Sequence, residues 1–328
     1  MTETPVLIIG AGPAGLAAAG GLREKGIPFV ILEKGEGVAQ CWRDHYDRLH
    51  LHTVRDLSHL PGQPFPQDYP QYVPKKELVA YYEDYARQRS IEPLFHHTVT
   101  GIEKKDDQWV ASCDNGSQFK SQVVVLCAGM NRIPFSPTYP GQEDFQGEIL
   151  HSDAYQNPAP YKGKRVLVVG MGNSGAEIAL DLCEKDVDAA ISIRGPVNIV
   201  PREVFGRPTQ VTALKLGKLP PALGDALGMI VRRFTVGDLP KYGIPLPAIS
   251  PARQLRETGQ TPVIDLGTLD YVRSGQLPIK KGIDRFTKSG VRFTDGTEEA
   301  FDAVVMATGF RANIKEWIEL DAGHFDHR

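Results

Sequence analysis

Two glycine-rich turns, 160 residues apart, constrain this 328-residue chain more than any other feature. The first, Gly10-Ala11-Gly12-Pro13-Ala14-Gly15, follows the apolar run Val6–Ile9 and precedes an alanine-rich helical stretch, Ala14–Lys25. Phe29–Leu32 is the next apolar run. Strand, glycine turn, helix and strand make a βαβ unit. The order returns as Arg165–Val169, Gly170-Met171-Gly172-Asn173-Ser174-Gly175, a helical stretch to Cys183, and Ala189–Ile193. A repeated βαβ unit predicts an α/β chain with two Rossmann-like dinucleotide-binding domains. The length agrees, at roughly 150 residues per domain.

Each glycine in such a turn has a physical task. The first permits the tight turn, the second lets a pyrophosphate approach the backbone, and the third lets helix and strand pack closely. The pyrophosphate then sits on free N–H groups at the helix N-terminus, where the dipole favours an anion. Glu33, at the end of the second strand, is placed to accept hydrogen bonds from ribose hydroxyls. The corresponding strand of the repeat ends in Arg194, a cation suited to a 2′-phosphate. An acid-type and a base-type turn in one chain read as FAD in the first domain and NADPH in the second. Hydride would pass from nicotinamide to flavin. The bland alternatives are a glycine turn that binds nothing and an exposed arginine at a strand end.

Composition removes several other classes. With 37 Lys+Arg against 40 Asp+Glu the net charge is −3, so the chain as a whole carries no basic footprint for nucleic acid. Cys41, Cys113, Cys127 and Cys183 lie far apart, which excludes a Cys-x-x-Cys redox pair and a zinc knuckle. No metal site is expected, although His45, His50 and His52 are close in sequence. Pro5–Leu22 is uncharged and nearly long enough to span a bilayer, but five glycines and two prolines argue against a spanning helix. A cytoplasmic enzyme without membrane association is expected, and a homodimer is left open.

Between the turns, Lys75–Arg89 reads as a helix with Leu78, Tyr82 and Tyr85 on one side. Three strand-like runs (98–103, 108–113, 118–126) read as a small antiparallel sheet ending in a buried strand. A proline-rich connector follows, from Ile133 to Tyr161. Ala128-Gly129 and Ala307-Thr308-Gly309 end two strands alike, which suggests that the chain returns to the first domain near residue 280. The expected organisation is therefore a first domain at 1–156, an NADPH domain inserted at 157–280, and a return segment at 281–328.

Beyond the turns, the chain resembles a known family. The run Phe145-Gln146-Gly147-Glu148-Ile149-Leu150-His151-Ser152-Asp153-Ala154-Tyr155 is similar to the identifying motif of class B flavin-containing monooxygenases. Trp42 with Tyr46-Asp47-Arg48-Leu49, Pro201-Arg202-Glu203, Lys241-Tyr242-Gly243, Pro262–Gly267 and Arg273-Ser274-Gly275 resemble segments of its YUCCA-like branch. The resemblance implies an NADPH- and oxygen-consuming monooxygenase that works through a flavin C4a-(hydro)peroxide on a small organic substrate. N- or S-oxygenation and oxidative decarboxylation of a 2-oxo acid such as indole-3-pyruvate are both implied options. An NADPH oxidase or reductase of the same fold, and a non-catalytic nucleotide-binding module, remain as alternatives.

The resemblance also assigns roles. It places Cys41 and Trp42 beside the flavin, the Val99 backbone at the adenine, and Ala128-Gly129 at the pyrophosphate, with Thr308 and Gly309 also at a cofactor. Asn173 and Ser174 fall within the second turn. Many N- and S-oxygenating members place an Asn near the flavin where this chain has His52, so His52 is the candidate catalytic residue. His151 is expected to orient the connector.

Two further expectations concern surfaces. Leu223, Leu227, Ile230, Val231 and Phe234 form an apolar stripe at helical spacing, read as a helix packed on the NADPH domain, a tunnel wall, a subunit contact or a membrane-surface helix. Only 19 residues follow Gly309, where family members continue with a strand and a helix. That difference predicts a partly uncovered strand 301–306, weak flavin retention and peroxide release.

Overall fold

A computed structural model of the protein describes residues 1–318. The chain forms two compact units, the second interrupting the first in sequence. Among the described residues, one holds Met1–His45, Leu49–Ile133 and 310–318; the other holds Tyr46–Arg48 and Pro134–Gly309.

The first unit is built on β1 (Thr2–Ile9), α1 (Pro13–Glu24), β2 (Phe29–Leu32), α2 (Gln40–Arg43), α3 (Lys75–Gln88), β3 (Val99–Lys105), β4 (Gln108–Cys113) and β5 (Gln118–Leu126). Its sheet runs β2-β1-β5-β4-β3. β2, β1 and β5 are parallel, while β4 and β3 pair antiparallel beyond them. The Val6–Ile9 run is apolar at every position because both faces are covered. Val6 and Ile8 pack with Leu16 of α1 and Leu78 of α3, whereas Leu7 and Ile9 pack with Val99 and Ile102 on the other face. β5 is less buried than the sequence suggests: Val123 and Leu126 are exposed. Trp317 adds to the free edge of β3, its carbonyl accepting from Ile102 N at 2.6 Å.

The segment between α2 and α3 has little regular structure, and side chains fix it. The Tyr81 hydroxyl accepts from Leu60 N and donates to Gln63 O, and the Arg55 guanidinium donates to Gln67 O and Tyr69 O. His52 lies in this segment, one residue after Leu51, whose N–H bonds Val73 O at 2.8 Å.

The second unit contains a five-stranded parallel sheet. Its strands are β6 (Glu148–His151), β7 (Arg165–Val169), β8 (Asp188–Ser192), β11 (Ile279–Lys280) and β15 (Ala303–Met306), in the order β11-β8-β7-β15-β6. Helix α4 (Asn173–Cys183) follows β7. Between β8 and β11 lie β9 (Ile199–Pro201), α5 (Thr209–Leu216), α6 (Pro221–Val236), α7 (Pro251–Thr258), β10 (Val263–Asp265) and α8 (Thr268–Ser274). An antiparallel sheet, β12 (Ile283–Thr287), β13 (Gly290–Phe293) and β14 (Glu298–Ala300), packs Phe286, Val291 and Phe293 with Leu167, Val169 and Val304.

These pairings move the expected boundaries. Residues 134–156 and 281–309 belong to the second unit, because β6 and β15 pair with each other and β15 pairs with β7. The return to the first unit falls at Phe310, not near residue 280. The strand expected to be partly uncovered is covered on both edges, and Ala303–Met306 are at most 1% exposed. The 223–234 stripe also differs from the packed-helix reading, since Leu223, Leu227, Ile230 and Phe234 are exposed. The polar tail 321–328 lies outside the described residues.

Candidate functional site

The two glycine turns are built alike. Gly12 and Gly172 are the N-cap residues of α1 and α4, and neither helix has an acidic residue in its first turn. Gly10 and Gly170 both have φ of +102°, a left-handed conformation that favours glycine. A Cβ on Gly15 would stand 1.9 Å from Gly10 O, and one on Gly175 would stand 2.1 Å from Gly170 O. Those glycines let helix and strand touch. A Cβ on Gly12 or Gly172 would meet nothing within 4 Å. The space over the middle glycine is open, so an anion can approach the N–H groups of the first helical turn there. Pro13 and Ala14 form that turn in α1, Asn173 and Ser174 in α4.

The likeness extends to the third parallel strand of each sheet. A Cβ on Gly10 would meet Cys127 O at 2.4 Å, and one on Gly170 would meet Ala307 O at 2.6 Å. Ala128-Gly129 therefore abuts the first turn, and Thr308-Gly309 stands in the equivalent place at the second. Thr308 Oγ donates to Phe135 O, and Gly309 O accepts from Phe135 N. His151 is nearly buried, with Nε2 3.0 Å from Gly309 O and Nδ1 3.0 Å from Asp153 Oδ1.

Glu33 is fixed before any ligand arrives. Its two carboxylate oxygens accept from Ala11 N and Gly35 N, each at 2.8 Å. A carboxylate has about four acceptor positions, so half its capacity remains for hydroxyl donors. The Ala39 N–H donates to Ala11 O, bringing α2 with Cys41 and Trp42 to the same turn. Partial burial, then Glu33 and Asp44, push the Cys41 thiol pKa up and keep it neutral. Val99 buries its side chain in the core and leaves only its backbone for other contacts.

In the second unit, Arg194 is exposed just past β8. Asn173 serves the fold: its Oδ1 accepts from Ile264 N at 2.8 Å and its Nδ2 donates to Pro262 O. Arg194→Ala is expected to weaken NADPH binding by about 1.5–3 kcal/mol, the size of a charge-assisted contact, and to leave NADH nearly unchanged. Parallel titrations of both nucleotides check this; equal losses would dismiss Arg194 as the phosphate reader.

The structure adds a buried ionic cluster that motif reading alone does not reveal. Glu177 and Asp181 lie buried along one side of α4, and the half-exposed Glu184 follows them as its C-cap residue. The Tyr46 hydroxyl donates to Glu177 and the Tyr155 hydroxyl to Asp181, each at 2.8 Å. Arg48 reaches all three carboxylates, at 3.8, 3.5 and 2.8 Å. The i, i+4, i+7 acidic spacing was the available sequence signal. Tyr155, the closing aromatic of the 145–155 motif, is thus an anchor on the helix that carries the second turn.

A sequence profile described as Flavin-binding monooxygenase-like matches residues 3–316. Indole-3-pyruvate monooxygenase YUCCA1 of Oryza sativa subsp. japonica is 39% identical over 321 residues, covering 97% of this chain and 79% of the relative. A mutant of the flavin monooxygenase from Stenotrophomonas maltophilia superposes with a TM-score of 0.75 at 26% identity, over 98% of this chain and 86% of that one. Cyclohexanone monooxygenase from Rhodococcus sp. Phi1, solved with NADP+, has a TM-score of 0.70 at 22% identity, over 97% and 73%, and shares the fold. The chain belongs to the flavin-binding monooxygenase-like family. It is a flavin-containing monooxygenase whose cofactors are FAD and NADPH.

Proposed function

We propose that this enzyme oxidatively decarboxylates a 2-oxo acid of the indole-3-pyruvate type. The observation that carries the reading is the 39% identity to an indole-3-pyruvate monooxygenase across 97% of the chain. The overall change is balanced. A 2-oxo acid, O2, NADPH and a proton give the acid shortened by one carbon, CO2, water and NADP+. Bound flavin supplies the oxygen-activating chemistry, so the protein needs no nucleophile of its own.

The residues then have defined tasks. The first turn, with Gly12 open above the α1 N-terminus and Glu33 held for the ribose, holds FAD. The second turn, with Gly172 and Arg194, holds NADPH. Cys41, Trp42, Val99 and Ala128-Gly129 line the flavin side, while Thr308-Gly309 lies against the second turn. His52 is the polar group proposed to control proton access near the flavin ring, in a site that works best without water. His52→Asn is expected to lower the share of NADPH electrons released as hydrogen peroxide, measured by peroxidase-coupled assay. An unchanged share would remove His52 from the site. The proposal for the reaction is tested with 18O2 and indole-3-pyruvate: the indole-3-acetate formed should carry one labelled oxygen. An unlabelled acid, or peroxide alone, would contradict it.

A further inference from the structure

Helix α6 has two unlike sides, both within the second unit. Arg232 and Val236 are buried, the Arg232 guanidinium donates to Asn198 Oδ1, and Asp225 accepts from Arg256 of α7. The other side carries Leu223, Leu227, Ile230 and Phe234, all exposed, Phe234 to 80%. Their spacing of i, i+4, i+7 and i+11 makes one stripe along the helix. The apolar surface is not confined to α6. A Cβ on Gly224 would stand 3.1 Å from Leu216 O, so α5 touches the start of α6. Leu214 of α5 and Leu219 of the short connector are exposed, and Phe205, at the tip of the hairpin before α5, is 89% exposed. Among the described residues, seven of the fifteen exposed large apolar side chains fall between 205 and 234. Such a concentration marks an interaction surface, where single scattered residues would not.

The charge around this surface has one sign. Between Glu203 and Asp238 lie five cations (Arg207, Lys215, Lys218, Arg232 and Arg233) and one acid, Asp225, in a chain whose net charge is −3. Asp225 pairs with Arg256. Arg207, Lys215, Lys218 and Arg233 are exposed, and none of them forms an ion pair among the described residues. An exposed leucine and phenylalanine stripe with such cations matches the boundary of an anionic bilayer. Acyl chains take the apolar side chains there and phosphate groups meet the cations. A second copy fits poorly, because a two-fold contact through this face would set like charges against each other. The helix lies on a bilayer rather than crossing it. Its 16 residues reach about 24 Å, against about 30 Å of hydrocarbon, and its inner side is committed to the fold.

We propose that the exposed face of α5 and α6 docks the enzyme on anionic lipid bilayers, with the α6 stripe in the plane of the headgroups. This departs from the expected lack of membrane association. The uncharged Pro5–Leu22 stretch takes no part, since it spans the end of β1, the first turn and most of α1. The docking is independent of which substrate the enzyme oxidises.

The test sediments the FAD-loaded full chain with vesicles, either of phosphatidylcholine alone or of equal parts phosphatidylcholine and phosphatidylglycerol. Wild type should bind the anionic vesicles at least tenfold more tightly than the neutral ones and lose that margin in high salt. Ile230→Ser with Phe234→Ser, and in a second protein Lys215→Glu with Lys218→Glu, should each weaken binding at least tenfold. Flavin content and melting temperature should stay unchanged in both. Wild type that binds neither vesicle, or both equally, would overturn the proposal whatever the variants do. So would either double variant that folds and still binds like wild type. Sedimentation velocity without lipid addresses the other occupant. A wild-type dimer that Ile230→Ser with Phe234→Ser splits would assign the face to a second copy and overturn the proposal.

Discussion

Replacing Gly12 with valine is expected to give a folded but colourless protein. The backbone at Gly12, with φ −76° and ψ −175°, is open to any residue, and its side-chain direction is empty to 4 Å. Nothing in the fold opposes the substitution. What the isopropyl group removes is the close approach of a pyrophosphate to the α1 N-terminus. Flavin content should fall at least tenfold with an unchanged far-ultraviolet circular dichroism spectrum. Gly172→Val is the matching change in the second unit. It should stay yellow, while the rate of flavin reduction at fixed, subsaturating NADPH drops by a similar factor. Gly15→Val is the contrasting case, because its Cβ would collide with Gly10 O, and it should damage the fold itself. A yellow Gly12→Val protein would show that the first turn does not cradle the cofactor.

Arg48→Met is expected to cost about 3 kcal/mol of stability at neutral pH, at the lower end for removing one partner of a buried ion pair. Glu177 and Asp181 are 2% and 6% exposed and would lose the cation that faces them. Burial already raises the Asp181 pKa, while the Tyr155 hydroxyl and Arg48 hold it down. Its folded value therefore lies above the unfolded one, so proton uptake favours the folded state as the pH falls through that interval. Without Arg48 the value rises further. Part of the lost stability should return on mild acidification, read from urea unfolding at the two conditions. A loss that is the same at both would mean that Asp181 is not part of the cost. Tyr155→Phe should act in the same direction with a smaller effect, because it removes one hydrogen bond and no charge.

The glycine turns were legible in the sequence because their physics is local. The strand before, the helix after and the glycine between them sit within thirty or so residues, the reach of a βαβ unit. The acid at 33 and the cation at 194 were legible for the same reason. Strand partners were not. The 301–306 run looks the same whether it pairs in the first sheet or the second, and only its register against Val166–Val169 decides the matter. The similar endings at Ala128-Gly129 and Ala307-Thr308-Gly309 did mark equivalent positions, but in two different sheets. Tyr46–Arg48 gave no periodic signal, since three residues are too few. In α6 the spacing told which side is apolar and could not tell which side is covered. There the structure reverses the usual sense, turning an arginine inward and leucines outward.

The most direct measurement is the stoichiometry of turnover with indole-3-pyruvate, following NADPH, O2, indole-3-acetate and hydrogen peroxide together. A family monooxygenase with FAD on the first turn and NADPH on the second should form close to one indole-3-acetate per NADPH and per O2, with peroxide a minor product. NADPH consumption that returns all its electrons as peroxide, with no indole-3-acetate at any substrate concentration, would contradict the account.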